Sequence, residues 1–228
     1  TLLKHFQRLA IATKPEIVTM ENVPGLASQD IWKRFIAALR RAKYHVTWKE
    51  VACDEYQVPQ SRRRLVLLAS LLGPIELRQS DSALKMTVKQ AIGDLPPLAA
   101  GETCPDDPLH ACHRTNTGKT YPSVYGRMEW DKPAPTMTTQ CYGFGNGRFG
   151  HPEQDRAISL REAAIIQSFP KDYSFLAEGE VVTFDRLGTL IGNAVPPKLG
   201  EAIGLSILSH IEGLRTGAGA YEGQLDLR

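Results

Sequence analysis

The run Leu65 to Leu72, LVLLASLL, marks the centre of a sheet. It is apolar at every position but Ser70, so it keeps no polar face for water. A strand with one wet face alternates; a run this continuous suits a strand covered on both faces, in the middle of a sheet. Immediately upstream stands VPQSRRR, residues 58–64, with Gln60, Arg62 and Arg64 at spacings of two. On an extended chain all three side chains point to one face. Polar and cationic groups on one face, just before a buried strand, form a candidate clamp for an anion or a base. An edge of surface arginines is the plainer reading of the same residues.

Working outward, Tyr44, Val46 and Trp48 alternate with His45, Thr47 and Lys49, which predicts a strand with one apolar face. Before it, Ile31, Trp32, Phe35, Ile36 and Leu39 form the buried stripe of a helix over 28–43. Residues 17–20 read as a short strand, and 2–12 as a first helix. Residues 2–72 thus spell helix, strand, helix, strand, strand: part of an α/β sheet. In VTMENVPG, residues 18–25, Glu21 stands where the first strand opens into a Pro-Gly turn. It is either a solvated strand end or a carboxyl group held in a pocket for acid chemistry.

Downstream the texture changes. Residues 73–157 are rich in proline and glycine with weak periodicity, as in GDLPPLAAGETCPDDP and YGFGNGRFGHP. They read as an irregular insertion with short strands such as 136–141. Helix signals return at SLRE, a capping box with Ser159 as cap and Glu162 reaching back; this helix should end near Phe169, before Pro170. A last helix follows GNAVPP, with Leu199, Ile203, Ile207, Ile211 and Leu214 as its stripe. The glycine-rich tail from Thr216 reads as frayed.

Composition narrows the function classes. The chain has 228 residues, 42% of them apolar, enough for a substantial core. No run of 18 apolar residues occurs, so no membrane-spanning helix is expected. The opening TLLKHFQRLAIATK is charged throughout, unlike a secretory signal, and the lack of an initiator Met suggests a trimmed or partial chain. Cys53, Cys104, Cys112 and Cys141 are widely spaced, as reduced thiols of a cytosolic protein are. The net charge of +2 hides +6 in residues 1–70 and −4 in the remainder, a slope that favours an anionic partner near the first segment. Three motifs fall short. TGKT at 117–120 lacks the earlier glycine of a phosphate loop, and GFGNGRFG at 143–150 does not open a helix. Cys104, His110, Cys112 and His113 match no common zinc spacing, so no metal is expected.

Four stretches occur in a telling order: ENVPG, VPQSRRR, then HPEQDRAISLREAAIIQSFPKDY, then LIGNAVPPKLGEAI. This order resembles the carbon-5 cytosine DNA methyltransferases, whose Glu-Asn-Val, Gln-x-Arg-x-Arg, Arg-Glu-Ala-Ala-x-x-Gln-x-Phe-Pro and Gly-Asn-x-Val motifs all match. The resemblance covers nearly the whole chain. It implies part of a doubly wound, Rossmann-like sheet with a small irregular target recognition domain. The division would be 1–72 for the C-terminal half of the catalytic domain, 73–157 for target recognition, and 158–228 for helices returning to the catalytic domain. Two family features are missing: the glycine-rich loop that holds S-adenosylmethionine, and the Pro-Cys-Gln that carries the nucleophile. No cysteine here follows a proline. The resemblance therefore implies the C-terminal portion of such an enzyme, either a subunit of a split enzyme or a fragment of a longer one, inactive alone.

The same resemblance assigns roles. Glu21 would supply the proton at N3 of a flipped cytosine in double-stranded DNA, with Arg62 and Arg64 near the base and its phosphate. Asn193 and Ala194 match positions beside the cofactor, S-adenosylmethionine. Gln60 would orient the loop at the DNA, and Gly145, Gly147 and Arg148 would touch DNA. The setting would be a bacterial-type cytoplasm, at the nucleoid, with restriction–modification as one context. The alternative is a non-catalytic DNA-binding protein derived from the same family.

Overall fold

The computed structural model describes residues 2–79, 84–104, 126–143, 148–177, 180–181 and 183–215. His110, Cys112, His113, the TGKT stretch, Gly145, Gly147 and the tail from Thr216 lie outside the described residues. The chain divides into two compact units, one of residues 1–51, 64–79 and 201–228, the other of 52–63 and 80–200.

The first unit opens with α1 (Leu2–Thr13), β1 (Ile17–Asn22), a single 3-10 turn (Pro24–Leu26), α2 (Asp30–Arg41) and β2 (His45–Ala52). In the second unit, β3 (Gln60–Ser61) precedes β4 (Arg63–Ser70), most of which belongs to the first. The sheet order is β1-β4-β2, so the apolar run that opened the reading is the central strand. β4 runs antiparallel to β1, with Ile17 opposite Ser70 and Asn22 opposite Leu65. Residues 65–70 are buried without a break. Leu65, Leu67 and Ala69 pack into a cluster with Val18, Trp32, Phe35 and Leu39. By the strand's period of two, Ser70 faces the other way. There its hydroxyl meets His210 Nε2 at 2.9 Å.

α2 starts at Asp30, two residues later than the stripe suggested, because Ser28 is spent on the preceding turn: its hydroxyl donates to Gly25 O at 3.0 Å. The helix stops at a Schellman motif. Lys43 takes φ 74°, its N–H returns to Arg40 O, and the Tyr44 N–H returns to Leu39 O. Trp32 meets Phe35 at 5.8 Å and stands edge-on to Trp48 at 5.6 Å between ring centres, which fixes α2 on the face of β2.

The second unit holds α3 (Val88–Ile92), β5 (Ala134–Pro135), α4 (Leu160–Ile166) and α5 (Phe184–Asn193), and the start of α6 (Pro197–Arg215). Residues 158–200 fall in this unit, and only 201 onward in the first. Its core gathers Ile92, Met137, Phe149, Ile158, Leu160, Ile166, Leu187 and Ile191. The SLRE capping box forms as read: Ser159 Oγ accepts the Glu162 N–H at 3.1 Å and Glu162 Oε2 accepts the Ser159 N–H at 2.7 Å. The expected strand over 136–141 is absent; β5 is the two-residue piece just before it, parallel to β3. Pro133 and Pro135 leave this stretch too few N–H donors for a longer ladder.

Candidate active site

In the first unit the site is built across the β1–β4 ladder. Glu21 pairs with Val66, so Arg64, two residues back, is its diagonal neighbour on the same face. Arg64 Nε lies 2.5 Å from Glu21 Oε1, with side-chain exposures of 13% and 15%. A carboxylate and a guanidinium are thus held together at the carboxyl end of β1, half-sheltered yet reachable. Carboxyl ends of strands are where open α/β sheets receive ligands. Asn22 serves the turn beside them: its Oδ1 accepts the Val23 N–H at 2.9 Å.

Gln60 and Arg62 share a sequence face with Arg64, yet the structure spends them differently. Both are buried, at 0% and 2% exposure. Arg62 donates to Met137 O at 2.9 Å and to Gly192 O at 3.0 Å. Gln60 accepts the Met137 N–H at 3.0 Å and donates to Ile166 O at 3.1 Å and to the Gln167 side chain. Gln60, expected at the DNA, and Arg62, expected near the base, therefore sit inside the second unit with their polar groups turned to its backbone.

α5 ends on Gly192-Asn193, and Ala194 turns extended at φ −62°, ψ 145°. Asn193 is exposed and Val195 is 40% exposed. An outward amide beside an apolar side chain fits one flank of a polar cofactor with an aromatic base. The end of α5 is seated by two glycines. A Cβ on Gly192 would stand 2.4 Å from Thr138 C, and one on Gly188 2.5 Å from Thr139 O, so backbone lies directly on backbone there. Arg148 is exposed.

The REAA stretch is framework. Glu162 forms a double hydrogen bond with Arg156, both distances 2.7 Å, and both side chains are 1% exposed. Burial pushes the Glu162 carboxyl up, but the Arg156 guanidinium and the Ser159 N–H more than offset this and hold it below the usual carboxylate range. Cys53 and Cys141 are fully buried, and burial pushes the Cys141 thiol up to about 12, far from a thiolate. Sequence reasoning missed Gln167 as a functional partner. Its signal was in view, as the glutamine of the REAAIIQSFP stretch.

Among the described residues no helix is long and apolar enough to cross a membrane. A family model for C-5 cytosine-specific DNA methylases matches residues 1–209. The Type II methylase M.HgiDII of Herpetosiphon aurantiacus is 42% identical, the match covering 93% of this chain and 70% of the relative. The Type II methyltransferase M1.BsuMI of Bacillus subtilis is 30% identical over 90% of this chain, which spans only 54% of that relative's length. Solved structures share the fold. The methyltransferase EhMeth of Entamoeba histolytica superposes with a TM-score of 0.66 at 15% identity, covering 92% of this chain and 68% of that one. Dnmt2 of S. pombe gives 0.62 at 16%, covering 87% and 67%. The α/β fold is that of the Rossmann-like methyltransferases.

Proposed function

Because this chain belongs to the C-5 cytosine-specific DNA methylase family, we propose that it forms the base-holding and DNA-recognising portion of an enzyme that methylates carbon-5 of cytosine in duplex DNA. The observation that supports this reading is the Glu21–Arg64 pair at the carboxyl end of β1. Cytosine carbon-5 is a poor nucleophile until a thiolate adds to carbon-6, a form of covalent catalysis. As the ring takes up negative charge, a carboxyl group at N3 supplies a proton. Glu21 is that group, and Arg64 orients it and meets the base. The target base leaves the helix to reach them, as in the base-flipping enzymes. S-adenosylmethionine, when bound, supplies the electrophilic methyl group; Asn193 and Ala194 would hold one side of it. No cysteine of this chain follows a proline, so on this reading the thiolate comes from a Pro-Cys-Gln segment outside this chain, in cis or on a partner chain. Target recognition lies within 73–157, including Arg148, and the DNA substrate places the enzyme at the nucleoid of a bacterial-type cytoplasm.

The same lack of a Pro-Cys-Gln segment in this chain is what the second reading, a DNA-binding relative without catalysis, would also show. One assay separates the two: labelled-methyl transfer to DNA by the chain joined with a polypeptide carrying the glycine-rich loop and Pro-Cys-Gln. Transfer should appear only with both parts. Glu21→Gln should then lower it by about a hundredfold or more, with DNA affinity within a few-fold of the parent. Transfer by Glu21→Gln within a few-fold of the parent refutes the role of Glu21, and its absence from the joined parts favours the second reading.

A further inference from the structure

Arg62 carries a full charge at 2% exposure, a placement that is costly without compensating hydrogen bonds. The answers come from two distant parts of the second unit: Met137 O at 2.9 Å, and the end of α5, with Gly192 O at 3.0 Å and Ala194 O at 3.5 Å. Gln167, at the end of α4 and fully buried, donates to the same Ala194 O at 2.8 Å. Gln60 completes the set, bonding the Gln167 side chain, Ile166 O and the Met137 N–H. The two carbonyls that flank Asn193 are therefore both held from inside by buried side-chain donors. Gly192 is pressed so closely on Thr138 and Thr139 that a Cβ has no room. With its neighbours pinned on one side, Asn193 is left to face solvent.

We propose that Arg62 and Gln167 are positioning residues for Asn193, acting through the Gly192 and Ala194 carbonyls, and that Arg62 touches neither base nor phosphate. The proposal rests on the reading that Asn193 and Ala194 face S-adenosylmethionine. Arg62 and Arg64, neighbours on one face of the sequence, then divide the work: Arg64 serves the reacting base and Arg62 the shape of the cofactor-facing turn. A lysine cannot replace the guanidinium fork, which reaches Met137 O from one nitrogen and Gly192 O and Ala194 O from the other.

The test uses the complete enzyme with Arg62→Met, Arg62→Lys, Gln167→Met and Arg64→Lys. Backbone amide exchange over 189–199, read by mass spectrometry without cofactor, should rise roughly tenfold or more in Arg62→Met and Gln167→Met, since each removes a hydrogen-bond donor from a carbonyl beside Asn193. Arg62→Lys should recover part of the protection, and Arg64→Lys should leave it at the parent level. In steady-state methyl transfer, KM for S-adenosylmethionine should rise about tenfold in the first two variants, with kcat at saturation within about threefold. Unchanged exchange over 189–199, or a fall in kcat at constant KM in Arg62→Lys, overturns the proposal. Should Arg62→Met fail to fold, Gln167→Met carries the same test through Ala194 O. An inactive parent would refute the methyltransferase reading, while the exchange data would still decide this one.

Discussion

Glu162→Gln changes one oxygen to an amide nitrogen and little else in volume. In the folded second unit Glu162 answers three N–H groups: two from Arg156 and one from Ser159, all at 2.7 Å. Arg156 also donates to Leu98 O at 2.9 Å and Ala157 O at 3.0 Å, so the guanidinium cannot leave without breaking those bonds. A glutamine keeps the cap on α4 but turns an NH2 group toward a donor and leaves the Arg156 charge uncompensated at 1% exposure. Breaking a buried pair by neutralising one partner costs about 3–5 kcal/mol. Against a total stability of roughly 5–15 kcal/mol for a domain, that is a large share. The assay is native-state hydrogen exchange of the α4 segment against urea, which reads the second unit by itself. Replacing both partners, with Arg156→Met and Glu162→Met together, should recover at least half of the loss, since an apolar pair of similar size is often neutral. A cost below about 1 kcal/mol for Glu162→Gln, or strict additivity of the Arg156→Met and Glu162→Met single changes, would show that the pair is not coupled in this way.

Acid should weaken the same unit. His151 is 3% exposed, and its Nδ1 accepts the Glu153 and Gln154 N–H groups. Burial pushes its imidazole down to about 4, although Glu162 and Glu153 pull upward; Arg156 and Arg127 add to the depression. Between about 6.5 and about 4 the unfolded chain takes a proton that the folded one refuses. Thermal stability of the second unit should therefore fall as pH drops through that window, and His151→Gln should flatten the slope. A midpoint constant from pH 6.5 to 4 would contradict it. Exchanging residues 73–157 for those of a relative should change the DNA site methylated while leaving cofactor affinity nearly intact; a chimera that keeps the parent's site would count against that boundary.

The central strand was legible because burial on both faces writes itself into composition: LVLLAS, residues 65–70, is buried throughout and apolar at all but Ser70. α2 and the SLRE cap were legible for the same local reason, since stripe and capping box need only neighbouring residues. α5 was not. Gly188 and Gly192 lower its helix propensity, and they are present because the helix rests on the backbone at Thr138–Thr139. Burial alternates along this stretch, with Gln60 and Arg62 buried, Arg64 partly so, and Ser61 and Arg63 exposed, in keeping with spacings of two. The spacing could not tell a clamp for a ligand from a clamp for carbonyls, because the face carries no record of what it meets. Glu21 and Arg64 came together only through strand register, which no local pattern states.

The bonds that close the second unit are also long in time. Gln60 meets Ile166 across 106 residues, and Arg62 meets Gly192 across 130. At roughly 5–20 residues per second, a ribosome needs on the order of 7–26 s to make the stretch between Arg62 and Gly192. Throughout that interval the Arg62 guanidinium has water as its partner at the place Gly192 will fill. Its burial waits for the last fifth of the chain, and no early folding of the first strands can hasten it.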